Sequence, residues 1–165
     1  MNIKIRSLQP SDWSSVCSIF EQGIKTGLAT FEVGVPSWEE WEKNHMQICR
    51  LVAEDNERII GWAALTSVSH RDVYSGVAEE SVYIAEEARS KGVGRILLQA
   101  LIQESEKNGI WTLQAVILPE HKASIVLHES CDFRIVGYRE KIGKLDGKWR
   151  NTLLMERRSK ISSLN

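Results

Sequence analysis

Between Glu79 and Leu118 the chain reads strand, glycine-rich turn, helix, strand, and that order constrains the sheet more than any other feature. EESVYIA (79–85) is strand-like, Gly94 through Lys107 carries Leu97, Leu98, Leu101 and Ile102 at helical spacing, and WTLQAVIL (111–118) is a second strand. A helical crossover of this length joins parallel strands, whereas antiparallel neighbours need only a hairpin. One parallel pair is therefore expected inside a larger sheet.

The flanking segments supply the antiparallel part. NIKIR (2–6) alternates as a strand. Pro10 and Ser11 open a helix with Trp13, Val16, Cys17, Phe20 and Ile24 on one stripe. KTGLATFEVGVP (25–36) reads as loop. Ser37 and Glu40 in SWEEW form a capping box that starts a second, short helix. RLVAED and RIIGWAALTSV are strands joined by a tight turn at Asp55-Asn56-Glu57, and HRDVYSG (70–76) is a loop. A helix runs from about Lys122 to Cys131. FRIVGYREKIG and WRNTLLMERR flank Asp146-Gly147, a strong hairpin signal. The predicted order is strand, two helices, three strands, helix, strand, helix, two strands. The fold class is α+β: a single mixed, mostly antiparallel sheet with helices on both faces, in one domain spanning residues 1–165.

Composition excludes several function classes. A net charge of −1 argues against a broad nucleic-acid surface. No apolar run approaches the roughly 20 residues of a membrane span. The first residues, MNIKIRSLQPSDW, lack the apolar core of a signal peptide. Three cysteines without close pairing argue against a disulfide framework. A reduced, cytoplasmic protein is expected. The four histidines show no metal-ligand spacing and no Cys-x-x-Cys occurs, so no metal is expected.

The turn Arg89-Ser90-Lys91-Gly92-Val93-Gly94 reads two ways. It is either a surface turn or a cradle for an anion. Glycines let backbone N–H groups approach a ligand closely, a helix start leaves N–H groups unpaired, and Arg89, Lys91 and Arg95 supply positive charge. No Gly-Lys-Ser/Thr follows, so it is not a P-loop; the third glycine of a dinucleotide fingerprint is replaced by Leu97.

The spacing Arg-x-x-Gly-x-Gly after SVYI resembles the acyl-CoA-binding segment of the GNAT superfamily of N-acetyltransferases. IRSLQPSDWSSVCSIF resembles that superfamily's first strand and helix. TFEVGVPSWEEW, RDVYSGVAEESVYI, SIVLHESCDFRIVGY and LDGKWRN resemble its phosphinothricin-type branch. The resemblance implies acetyl-CoA as co-substrate. It places the pyrophosphate on Arg89, Ser90, Lys91, Gly92, Val93 and Gly94, and the pantetheine arm along Val82, Tyr83 and Ile84 like an added strand. It also implies a small amine substrate of the phosphinothricin or methionine sulfone and sulfoximine type, and a homodimer.

Acetyl transfer from a thioester to an amine removes a proton from nitrogen and delivers one to sulfur. Glu79 is the first candidate base. By strand alternation it shares a face with Ser81 and Tyr83 while Glu80 points the other way, and the branch resembles this chain in placing a glutamate at the position of Glu79. The second candidate is His128, where the wider family often has a tyrosine and the branch a histidine. Arg71, ahead of Tyr74, is placed to clamp a substrate carboxylate. Phe31 and Trp149 are candidate walls. Ser124 is positioned to cap its helix or to hold the pantetheine arm. His121 stands where the family has asparagine, and an imidazole replaces only one of the amide's hydrogen bonds. Asp132 stands in place of a helix-ending glycine, and Asn151 where the branch has aspartate. Cys131 shares a helical face with His128, but a cysteine nucleophile lacks an evident third group. Two other readings stay open: a non-catalytic acyl-CoA-binding module, and acetylation of peptide or protein N-termini.

Overall fold

A computed structural model describes residues 1–161. The elements in chain order are β1 (Ile3–Ser7), α1 (Trp13–Lys25), α2 (Trp38–Asn44), β2 (Leu51–Asp55), β3 (Arg58–Ser67), β4 (Val77–Ile84), α3 (Val93–Lys107), β5 (Thr112–Ile117), α4 (Lys122–Glu129), β6 (Arg134–Leu145) and β7 (Lys148–Arg158). All seven strands form one sheet in the order β1-β2-β3-β4-β5-β7-β6. Only β4 and β5 pair in parallel, as the crossover requires; every other neighbour is antiparallel.

Each helix exists for a local reason. A single 3-10 turn, Pro10–Asp12, leads into α1. The predicted capping box of α2 forms in both directions: Ser37 Oγ accepts from Glu40 N–H, and Glu40 accepts from Ser37 N–H. Asp132 ends the α4 segment at φ 67°, the left-handed region that a glycine takes without cost, and Lys160 Nζ reaches its carboxylate at 2.9 Å.

The core fills the space between the sheet and its helices. On one face Val16, Ile19 and Phe20 of α1 are buried, and Phe20 with Trp41 of α2 packs on Trp62, which is stacked 4.7 Å from Tyr83 of β4. Trp13, Trp38 and Trp41 form a continuous ring cluster there. On the other face α3 buries Val93, Leu97, Leu98 and Leu101. Alternation along β4 puts Tyr83 and Glu80 on opposite faces, as expected from sequence; the structure turns Tyr83 to the α1 side and Glu80 toward α4. Among the described residues no helix is long and apolar enough to cross a membrane.

Candidate active site

The site begins where two strands part. β4 and β5 pair at only three positions, ending at Glu79 with Gln114, yet β4 continues to Ile84 and β5 to Ile117. Beyond Glu79 the two strands diverge as a fork. Ala85 N–H donates to Ile60 C=O, so the two-residue ladder alternation turns the backbone groups of Tyr83 and Ser81 toward β3. Those of Val82 and Ile84 then face the open side. An unpaired strand edge of this kind accepts an extended ligand through main-chain hydrogen bonds. The Ile84 carbonyl already accepts from Arg89 Nε at 3.1 Å.

The fork opens onto a cavity of about 370 Å³. Val82, Tyr83 and Ile84 form one wall, and Arg89, Ser90, Gly92, Gly94 and Arg95 the second. His121, Ser124, Leu127 and His128 close it from α4. Gly92 caps α3 at φ 82°, with nothing near the position a Cβ would take, and Ser90 is also left-handed at φ 58°. These reversals let the chain turn sharply into the helix. The first α3 bond recorded at this end runs from Ile96 N–H to Gly92 C=O, which leaves the amides of the first helical residues outside the helix's own ladder. Open amides, the dipole of a 15-residue helix and the two arginines make this corner attractive to a diphosphate. The free edge and this corner suit an acyl-CoA: one takes an amide-bearing arm, the other its phosphates.

The other residues of the expected cofactor segment are placed differently from one another. Lys91 is exposed and Val93 is buried in the core, so only the Val93 backbone faces the turn. Ser124 is not the helix cap. The cap position belongs to His121, whose side chain makes no capping bond, and Ser124 lies inside the first turn with its Oγ 3.4 Å from His128 Nδ1. Burial, with Arg89 and His128 nearby, lowers the His121 pKa, so its ring is neutral at pH 7. Burial pushes the Tyr83 phenol up to about 12, so it stays a neutral donor.

Glu79 and His128 do not meet. Glu79 accepts from Gln114 Nε2 at 2.7 Å, at the base of the fork. His128 is buried and its Nε2 lies 2.8 Å from Glu80 Oε1. Its Nδ1 lies 2.7 Å from the Ser124 carbonyl, and Phe133 packs edge-on 5.0 Å away. Burial pulls the His128 pKa down, but the charge and hydrogen bond of Glu80, with the Ser124 carbonyl, more than compensate and raise it. The Glu80 partnership escaped the sequence because 48 residues separate the pair. The available signal was alternation, which puts Glu80 on the face opposite Glu79 but does not say which helix covers it.

The remaining candidates stand outside the cavity lining. Arg71 sits 5.5 Å over the Tyr74 ring on the exposed loop before β4. Phe31 packs against Gly143 of β6, and Trp149 is exposed with Lys144 Nζ 4.6 Å from its ring centroid. Asn151 Oδ1 accepts from Lys141 N–H, fixing a bulge in β6. Gly23, Thr26 and Ala29, from the end of α1 and the following loop, line the cavity without having been singled out. A glycine inside a helical stripe was their one visible mark.

Comparison with known proteins agrees with this geometry. A model of the acetyltransferase (GNAT) family matches residues 14–133. A phosphinothricin N-acetyltransferase of Alcaligenes faecalis is 32% identical over 160 residues, covering 93% of this chain and 81% of that protein. The crystal structure of a phosphinothricin acetyltransferase from Sinorhizobium meliloti in complex with acetyl-CoA superposes with a TM-score of 0.86 at 30% identity, covering 96% of this chain and 89% of that one. A ribosomal-protein-alanine N-acetyltransferase from Brucella melitensis also reaches 0.86, at 28% identity, covering 94% and 99%.

Proposed function

The chain belongs to the GNAT acetyltransferase family, and from that premise we propose that residues 1–165 form one domain that acetylates the primary amine of a small, amino-acid-like substrate, with acetyl-CoA as donor. The phosphinothricin and methionine sulfone or sulfoximine class is the substrate class favoured. The observation that carries this reading is the fork: a free β4 edge leading into a cationic, glycine-turned helix start. The similarity to a phosphinothricin acetyltransferase over 93% of the chain supports the substrate class.

In this reading the Val82 and Ile84 backbone orients the pantetheine arm, and the 89–94 turn with Arg95 holds the diphosphate. Bound acetyl-CoA presents its thioester at the base of the fork. Glu79, beside that base, takes the amine proton through a water and Gln114 holds its carboxylate in place. His128 on the inner wall serves the leaving sulfur. Attack is direct, since the one buried cysteine near His128, Cys131, is kept protonated by burial. Arg71 and Tyr74, from the loop before β4, receive the substrate carboxylate, and Phe31 and Trp149 wall the substrate. The free thiols at Cys17, Cys49 and Cys131 favour the reducing cytoplasm. A homodimer is the assembly proposed.

Purified protein supplied with acetyl-CoA and a panel of amines is expected to release CoA thiol with phosphinic and sulfone amino acids. Release with peptide N-termini alone would establish the second reading, which the Brucella likeness favours. Calorimetric binding of CoA with silence across every amine would leave a binding module.

A further inference from the structure

His128 has no free nitrogen. A backbone carbonyl only accepts, so the 2.7 Å contact with Ser124 C=O makes Nδ1 a donor. The 2.8 Å contact between Nε2 and Glu80 Oε1 must contain a proton as well, since two bare acceptors would repel. One proton is thus held between the two side chains, and both are more than nine-tenths buried. Glu80 Oε2 is also buried and has no hydrogen-bond partner among the described residues, so the carboxylate makes its one recorded side-chain bond to His128. The two lie differently with respect to the cavity. His128 lines it; Glu80 stands behind and does not.

We propose that Glu80 is a positioning residue that keeps His128 as an imidazolium ion, so that the cavity wall carries a fixed positive charge where the thioester oxygen and then the leaving sulfur become negative. A preorganised charge in a dry site stabilises developing negative charge strongly, because no solvent must reorient. The catalytic part rests on the acetyl-transfer reading above; the charge state of His128 does not. The titratable groups bearing on the ring are few. Glu80 faces it from β4, and His121 from the start of α4. Arg89 acts on His121, and Tyr83, across the sheet, feels Glu80 but stays neutral. From the β6 side Phe133 contributes an uncharged ring. Glu80 supplies the larger part of what offsets burial at His128, by charge and by hydrogen bond, and removing it leaves the Ser124 carbonyl alone against burial.

The test is a histidine side-chain NMR titration of the wild type and Glu80→Gln, alongside kcat against pH and calorimetry with CoA. In the wild type His128 should titrate above about 6.5, the ordinary value, and in Glu80→Gln below it. With an accepted amine, kcat near neutral pH should fall about tenfold or more while CoA affinity stays within about twofold, a factor of ten being worth about 1.4 kcal/mol. Glu80→Gln added to His128→Gln should then cost nothing further. If Glu80→Gln fails to fold, Glu80→Asp keeps the charge with a longer contact and should titrate between the two. An unchanged His128 titration would overturn the proposal, and so would a shifted titration with an unaltered pH–kcat profile. A wild type that transfers acetyl to no amine would defeat the proposed function while leaving the titration to decide the pair.

Discussion

At the scale of single residues, the site depends on close packing behind it as much as on the groups facing the cavity. Gly23 shows this. A Cβ there would lie 2.8 Å from Tyr83 Cδ1 and Cε1. The ring cannot retreat, because Trp62 stacks on it at 4.7 Å and Phe20 lies 4.9 Å away. Gly23→Ala gains about 1 kcal/mol of helix propensity but costs about 1–3 kcal/mol in overpacking, so the net change is destabilising. Since Tyr83 and Gly23 both line the cavity, the same change should weaken CoA binding. Thermal unfolding and CoA calorimetry check the two halves; a variant that melts higher and binds equally well would contradict the packing argument. The sequence exposes a helical glycine at this position, but not the ring it accommodates, which comes from 60 positions along the chain. The same holds for the contact of Glu80 with His128: the histidine was a candidate from the sequence, its partner 48 positions away was not.

At the scale of elements, the first strand is pinned to its neighbours by one arginine. Arg6 donates to both Asp12 oxygens, at 2.7 and 3.0 Å, and to Glu54 at 2.8 Å, joining β1 to the turn before α1 and to β2. These bonds raise the Arg6 pKa and hold the Asp12 carboxyl below the usual range; the Arg6 bonds outweigh burial, with help from Gln9 N–H. A carboxyl depressed in the folded state contributes stability above its unfolded value of about 3.9 and loses it as pH falls through the folded value. Asp12→Asn should therefore cost roughly 2 kcal/mol at pH 7, the order of a charge-assisted hydrogen bond. The cost should shrink as pH drops below about 4. Urea unfolding at both pH values measures it, and a pH-independent cost would assign the loss to packing. Element order, hairpin and crossover were readable because they follow from periodicity and turn chemistry. The fork was not: WTLQAVIL and EESVYIA look fully pairable, and nothing local says that pairing stops at Glu79.

At the scale of the whole molecule, the β6–β7 hairpin forms the end of the sheet and leaves apolar surface uncovered. Ile135, Val136, Tyr138 and Ile142 of β6 and Trp149 of β7 are all exposed. Several exposed apolar side chains along one hairpin are what a docking face presents, and the proposed homodimer would use them. The edge itself is blocked against strand addition. The β6 register slips between Arg139 and Gly143, Lys141 is left-handed at φ 48° with its N–H held by Asn151, and Arg139, Lys141 and Lys144 crowd the strand. Bulges and lysines on an edge prevent sheet continuation. In the proposed homodimer a second copy would therefore meet the hairpin through its side chains. That contact would bring a partner's surface beside Trp149, near Phe31 on Gly143, and so toward the proposed substrate rim. Sedimentation at micromolar concentration should report a dimer. Ile142→Glu should shift it toward monomer and raise KM for the amine more than for acetyl-CoA, because the cavity along β4 and α3 lies in one chain. A wild type that sediments as a monomer would refute the assembly, and a monomeric variant with both KM values unchanged would separate the assembly from the site.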